Sequence, residues 1–522
     1  MTTTDVLVVG AGPTGLMLAV WLARAGIKPL VIDRKETTSR ETRALGVQAR
    51  TLETYDMLGL GALALEKGIR ARGVTMWVHR RAIAHADFDD IGHGISPHPY
   101  LFIMGQDETE KLLLEELLSL GGTVRWQTTL ETLSQNDRHV TATLRAADGT
   151  VETVEARYAG GCDGASSSVR HALGVGFPGG TYGQRFFVAD VSAEGPLSAG
   201  DVGLCLGETG FVAFFPMQGA QHYRIVGIVP PSLVHKEDLS LEDGRADAER
   251  RSGMTVTGTT WFSTYNVHHR VAEHFRRGRV FLLGDAGHIH SPVGAPGMNT
   301  GLMDATNLGW KLAAVLNGAA DARILDTYAG ERIPFAKQLV ETTDRIFSLV
   351  SSPDPWTGPL RAVVAPAFFG LMTHLPFVRR ELYGLISQTR IAYHDSALSK
   401  GAAGGVRGGD RLPWVRYANG SSNFDVLTQL RPHLQVYGPV PNELESFATV
   451  NRGIPLVKLP EAPQVRHAGL QAGAAYFVRP DGYVAYASSH FDGTDFLAYL
   501  KSAWGCTPDS LAASATARTS PQ

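Results

Sequence analysis

Cysteine is nearly absent from this chain. Only Cys162, Cys205 and Cys506 occur in 522 residues, far apart and without C-x-x-C spacing. That excludes a disulfide framework and a cysteine-ligated zinc site, and it fits a reducing, cytoplasmic setting. Charge of one sign is not in excess either: 48 Lys and Arg face 51 Asp and Glu, for a net charge of -3. The signs are mixed along the chain, so nothing predicts the basic face that nucleic-acid binding needs. Long apolar runs are missing. The most membrane-like stretch, Ala362 to Val378, is broken by Pro366, His374 and Pro376. It falls short of the ~20 residues a span requires and reads as a packed helix pair, with no membrane insertion expected. Met1 to Asp5 lacks the basic region of a signal peptide. His268, His269, His288 and His290 have no third ligand at zinc-like spacing, so no metal is expected.

What is present is enough core for two or three domains, with 44% hydrophobic and 19% charged residues. The β-branched run Asp5 to Val9 leads into Gly10-Ala11-Gly12-Pro13-Thr14-Gly15. Leu16 to Ala23 then reads as a buried helix ended by Gly26, and Pro29 to Ile32 as a second strand closed by Asp33. This β-α-β order is the context in which the glycine fingerprint means dinucleotide binding. Gly10 permits the turn, Gly12 admits the pyrophosphate, and Gly15 lets helix and strand approach. The helix N-terminus offers unpaired N–H groups to phosphate, and Asp33 is placed for a ribose hydroxyl. The fingerprint alone does not separate bound FAD from exchangeable NAD.

Further segments follow in order. They are Arg43 to Glu53; Gln106 to Leu112, which reads Q-x-x-T-E-x-L; and Tyr158 to Arg170, with Cys162-Asp163-Gly164 at a strand end. Then come Arg279 to Leu283 running into Gly284-Asp285-Ala286-Gly287-His288, and Ser291 to Gly301 opening a helix with apolar residues at Leu302, Ala305, Leu308, Leu312 and Leu316. This series resembles the class A flavoprotein monooxygenases, the phenol and polyketide aromatic hydroxylases. The resemblance implies an α/β protein: a Rossmann-like FAD-binding fold with an inserted β-sheet substrate domain and a C-terminal thioredoxin-like domain. It assigns FAD contacts to Gly10, Gly12, Pro13, Thr14, Gly15, Asp33, Arg34, Arg43, Gln106, Asp163, Gly164, Gly284, Asp285, Pro292, Gly297, Met298 and Asn299. It also implies NADPH or NADH as hydride source and O₂ as co-substrate, with a flavin C4a-hydroperoxide attacking the ring of a small aromatic substrate. The loop departs from the family's usual Pro-x-Gly-Gly-x-Gly: Gly294-Ala295-Pro296-Gly297 puts a proline where a backbone donor is expected.

Pro292 would line the oxygen-reacting face. Trp261 to Arg270 resembles the stretch near substrate in phenol hydroxylases, with Tyr265 and His268 as catalytic candidates. Phe211 to Pro216 reads as a strand of the sheet roofing the substrate, so Phe211, Phe214 and Tyr265 are expected in the pocket. The FAD-binding domain is expected over 1–400, its cofactor segments near 1–72, 104–175 and 271–400, with the substrate sheet in about 73–103 and 176–270. Lys400 to Gly409 reads as a flexible linker. Residues 410–507 resemble the thioredoxin-like domain appended to many of these hydroxylases, without C-x-x-C. Residues 508–522 are small and polar, hence expected to be disordered. Baeyer–Villiger or epoxidising chemistry on the same fold remains open, as does a catalytically silent FAD-binding protein. A halogenase is disfavoured by the lack of Trp-x-Trp. Monomer and homo-oligomer are both compatible.

Overall fold

The structure, a computed structural model, describes residues 2–39, 44–78, 80–207, 210–291, 296–351 and 375–511. Arg43, Pro292 and most of the apolar stretch from Ala362 lie outside those residues, as do residues 512–522 of the expected tail.

The nucleotide end is built on a mainly parallel sheet. Strand Thr2–Val9 lies between Val151–Gly161 and Leu30–Ile32, parallel to both, and Val280–Leu282 extends the sheet beyond Val151–Gly161. The second half of Thr2–Val9, the aliphatic run Val6 to Val9, is buried, as a strand segment covered on both faces must be. Helix Pro13–Arg24 packs on one side against the long helix Pro296–Leu316.

A second sheet of eight strands stands beside it. From one edge it runs His288–Ile289, Thr255–Val271, Gly179–Glu194, His222–Ile228, Gly210–Pro216, Val202–Gly207, Gly73–Val78 and Arg81–Asp87. Strand Leu101–Ile103, expected in this sheet, instead pairs with Gly46–Val47 and Ile69–Ala71 in a small sheet of its own. Alternation gives the large sheet two faces. The outer one packs Phe214, Phe187 and Val212 under helix Leu241–Ser252, through Leu241 and Ala248. The inner one carries Phe186, Phe211 and Tyr265, and also Phe215, which reaches Leu45 beside the nucleotide end.

The C-terminal part folds around a six-stranded mixed sheet. The segment read as a linker is not one. Val406–Arg407 is an edge strand of this sheet, and Lys400–Ala403 lies next to it, paired on its other side with Val484–Ser488. Its glycines serve close approach rather than flexibility: a Cβ at Gly408 would stand 2.4 Å from the Lys400 backbone nitrogen. No described helix is long and apolar enough to cross a membrane.

Candidate active site

The glycine turn is set by two different demands. Gly10 has φ +103°, and a Cβ there would fall 2.3 Å from the Cys162 carbonyl oxygen; one at Gly15 would fall 1.8 Å from the Gly10 carbonyl oxygen. Both glycines are therefore required by the chain's own packing. At Gly12 nothing lies within 4 Å. Its missing side chain clears a space the protein does not fill, in front of a helix whose N-cap has no side-chain hydrogen bond. Unpaired N–H groups and the positive helix end suit a phosphate there. Asp33 closes the second strand with Oδ2 accepting from the Ala11 N–H at 2.7 Å and Oδ1 from the Lys35 N–H at 2.8 Å. Lone pairs remain for a ribose hydroxyl. Arg34 beside it is exposed.

Thr14 joins the motifs. Positions for a Cβ on Gly284 and on Gly301 lie 2.7 and 2.3 Å from its Oγ1. The Gly284-Asp285 turn, the Pro296 helix and the first fingerprint thus close on one hydroxyl. Asp163 is occupied in shaping its own turn: its carboxylate accepts from the Ser167 hydroxyl at 2.5 Å and from the Val169 N–H at 3.1 Å. Gly164 next to it faces open space. Arg170 then donates to the Ala286 carbonyl at 3.0 Å, tying this segment to the Gly284 turn, on which Asp285 is exposed.

Asp304, which sequence reasoning passed over, holds that turn to the helix. One oxygen accepts from the Gly284 N–H at 2.9 Å and from His288 Nε2 at 2.7 Å, the other from Arg332 Nε at 2.6 Å. Burial opposes its ionisation, but Arg332 and His288 keep the carboxyl below its usual range. The signal was an acid at a core position of an apolar helical stripe.

Asn299 is placed differently from a cofactor contact through its side chain. Its Oδ1 accepts from the Gln48 N–H at 2.9 Å and Thr51 Oγ1 at 2.8 Å, and its Nδ2 donates to the Gly46 carbonyl at 2.8 Å. The amide clasps residues 46–51 against the helix and leaves the backbone of Gly297, Met298 and Asn299 as the helix end. Gln106 Nε2 donates to Glu110 at 2.9 Å. Burial pushes His290 down to about 4, so its ring is neutral near pH 7. Among the described residues no group of three or more His, Cys, Asp or Glu could hold a metal ion.

The substrate-side candidates separate. Tyr265 stacks on Phe186 at 5.7 Å with Phe211 beside them, all on the inner face. Phe214 is on the outer face, edge-on to Tyr223 at 6.3 Å, because 211 and 214 differ by an odd number of residues in one strand. His268, likewise an odd step from Tyr265, turns to the other face and bonds Thr181 Oγ1 at 2.7 Å. Its neighbour His269 is the histidine that shares the Tyr265 face, edge-on to Tyr182 at 4.8 Å.

Residues 3–343 match the family described as FAD binding domain. Pentachlorophenol 4-monooxygenase of Sphingobium chlorophenolicum is 33% identical over 441 residues, covering 83% of this chain and 79% of its own. The 12-dehydrotetracycline 5-monooxygenase/anhydrotetracycline 6-monooxygenase of Streptomyces rimosus is 33% identical over 514 residues, covering 96% and 98%. Aklavinone-11 hydroxylase, solved with FAD and aklavinone, superposes with a TM-score of 0.79 at 25% identity, covering 96% of this chain and 99% of its own. The open cradle at Gly12 and the uncapped helix beyond it fit such a cofactor, and the chain belongs to the FAD-binding family of aromatic-compound monooxygenases.

Proposed function

We propose that the chain hydroxylates a phenolic or polyketide-like aromatic compound at the expense of NADPH or NADH and O₂. The observation that carries this reading is the inner aromatic face, where Tyr265 and Phe186 stack beside Phe211. That face shares its edge with His288–Ile289, the strand that precedes the Pro296 helix in sequence. The pentachlorophenol and anhydrotetracycline monooxygenases among the relatives support an aromatic substrate.

The chemistry FAD supplies when bound is hydride acceptance and oxygen activation. The chain's part is to bind, orient and exclude water. Gly12, Pro13 and Thr14 would present the helix end to the pyrophosphate, with Asp33 and Arg34 toward the adenosine side. Arg43, Gln106, Asp163, Gly164, Gly284 and Asp285 would flank the remainder. Backbone donors at Gly297, Met298 and Asn299, at the positive end of a 21-residue helix, would stabilise negative charge on the flavin pyrimidine. Pro292 would close the oxygen-reacting side. Phe211 and Tyr265 would roof the ring and keep water from it.

The C-terminal part is best read as a thioredoxin-like brace. Strand His433–Tyr437, helix Asn442–Val450 and parallel strand Leu456–Leu459 are followed by an antiparallel pair and helix Gly493–Tyr499. It carries Cys506 alone, which gives it no dithiol chemistry.

The test is anaerobic stopped-flow reduction of the FAD-loaded protein by NADPH and NADH, with and without phenols and hydroxyanthraquinones. A ligand that accelerates flavin bleaching by orders of magnitude, followed by a hydroxylated product when oxygen is readmitted, supports the proposal. No reduction with any ligand or nucleotide rejects it.

A further inference from the structure

On the inner face of the large sheet, His269 is the polar ring among aromatics. It follows Tyr265 by four residues in strand Thr255–Val271, so both point the same way. It stands opposite Gly180 in the neighbouring strand. A Cβ at 180 would come within 2.8 Å of His269 Nε2 and 2.9 Å of Cε1. Glycine there leaves the seat that the imidazole takes. On its other flank Tyr182 meets it edge-on, the Tyr182 hydroxyl being engaged by Asp344. His269 is also next to the catalytic end of the sheet, since Arg270 and Val271 pair with Ile289 and His288, just before Ser291.

The two ring nitrogens differ. Nδ1 is enclosed and has no hydrogen-bond partner. Enclosed as it is, Nδ1 cannot reach a ligand. That leaves Nε2, the nitrogen lying over Gly180, as the ring nitrogen that can meet a ligand. Simple packing beside Tyr182 would be met equally well by phenylalanine, which carries no polar atoms to enclose.

We propose that His269 is a substrate-positioning residue whose Nε2–H donates a hydrogen bond to an oxygen borne by the aromatic substrate. This rests on the reading of the Tyr265 face as the substrate roof. Gly180 takes part by holding the ring in place.

The probes are 4-nitrophenol and 1-hydroxyanthraquinone, titrated into FAD-loaded enzyme without nicotinamide and followed by flavin and ligand absorbance. Four variants are compared with the parent: His269→Phe, His269→Gln, Gly180→Ala and Tyr265→Ala. The expected result is about a tenfold weaker dissociation constant for His269→Phe and Gly180→Ala. His269→Gln, which restores an N–H donor, should return to within about threefold of the parent. FAD affinity and thermal midpoint stay unchanged in all three. Equal binding by His269→Phe and the parent, with Tyr265→Ala weakened, overturns the His269 inference and leaves the roof standing. Loss in neither His269→Phe nor Tyr265→Ala, or no binding by the parent, overturns both.

Discussion

Glu53 and Arg411, 358 residues apart in sequence, meet in the interior, with Arg411 Nε 2.9 Å from Glu53 Oε2. The same carboxylate takes Arg50 at 2.9 Å and the Ser96 hydroxyl at 2.6 Å. Burial alone would neutralise it; Arg411 foremost, then Arg50, hold the carboxyl down to about 2. Arg50 also donates to the Asp481 carbonyl. A second cluster lies alongside: Arg479 bridges Asp481 and Glu331, and Trp310 of the Pro296 helix donates to Asp481 at 2.9 Å. The C-terminal part is thereby joined to helix Ala49–Met57, whose N-cap Gln48 is bonded to Asn299.

Removing one member of this pair should be severe. Glu53→Gln leaves two buried guanidiniums facing a neutral amide, and a loss of about 3–5 kcal/mol in urea unfolding is expected. FAD fluorescence should rise at a lower urea concentration than in the parent, because the clamp leads to the Pro296 helix. The double change Glu53→Leu, Arg411→Met should recover part of that loss. A single-variant cost below about 1 kcal/mol would show that the pair does not brace the fold.

The two ends of the glycine turn should respond oppositely to substitution. Gly10→Ala strains a left-handed backbone and drives a methyl into the Cys162 carbonyl, so the apoprotein should lose at least about 2 kcal/mol or fail to fold. Gly12→Val meets no protein atom within 4 Å. Its apoprotein should unfold within about 0.5 kcal/mol of the parent. Its FAD dissociation constant should rise at least about tenfold, because the side chain enters the phosphate cradle. An unaltered FAD affinity in Gly12→Val would remove the cradle from the cofactor site.

The nucleotide half was legible because each motif sits where a turn or a close approach restricts the residue type. Gly10, Gly15 and the Asp163-Gly164 turn are local requirements that spacing reveals. Asp304 stood out as an acid in an apolar stripe, but its pairing with Arg332, His288 and the Gly284 turn was not legible, since those partners come from other elements brought together on folding. The same holds for Glu53 with Arg411: an ordinary helix acid becomes a buried hub only through a contact formed on folding. Lys400 to Gly409 misled because glycine density signals looseness in isolation, whereas here it permits strand pairing at the sheet edge. In the substrate sheet, alternation identified the strands but did not say which face looks inward. Grouping Phe214 with Phe211, or His268 with Tyr265, overlooks a parity that each strand already shows: both pairs are three residues apart.

That parity difference is itself testable. Phe214→Ala empties a fully packed site under helix Leu241–Ser252 and should cost about 3–5 kcal/mol, with the substrate dependence of flavin reduction unchanged. Tyr265→Ala, half-buried on the other face, should cost less stability. It should instead raise the ligand concentration needed for half-maximal reduction, with little change in the rate at saturation. If Phe214→Ala shifts ligand affinity as much as Tyr265→Ala does, the assignment of the inner face is wrong.

Acid should weaken the fold before most carboxylates titrate. His433 in the C-terminal sheet and His290 near the start of the Pro296 helix are both buried, and burial pushes each down to about 4. The unfolded chain takes up these protons near pH 6.5, whereas the folded chain resists until about pH 4. Between those values the unfolded state binds more protons, so stability falls as pH falls, by up to about 1.4 kcal/mol per pH unit for each ring. His433→Gln removes one of the two, distant from the candidate active site. Its urea-derived stability should therefore decline less steeply from pH 6.5 to pH 4 than that of the parent, by up to about 1.4 kcal/mol per unit. Above pH 7.5 the two proteins should differ by a constant offset, since neither state then holds a proton on this ring. Parallel curves across the whole range would mean that His433 takes up its proton equally in both states and that its burial carries no pH cost.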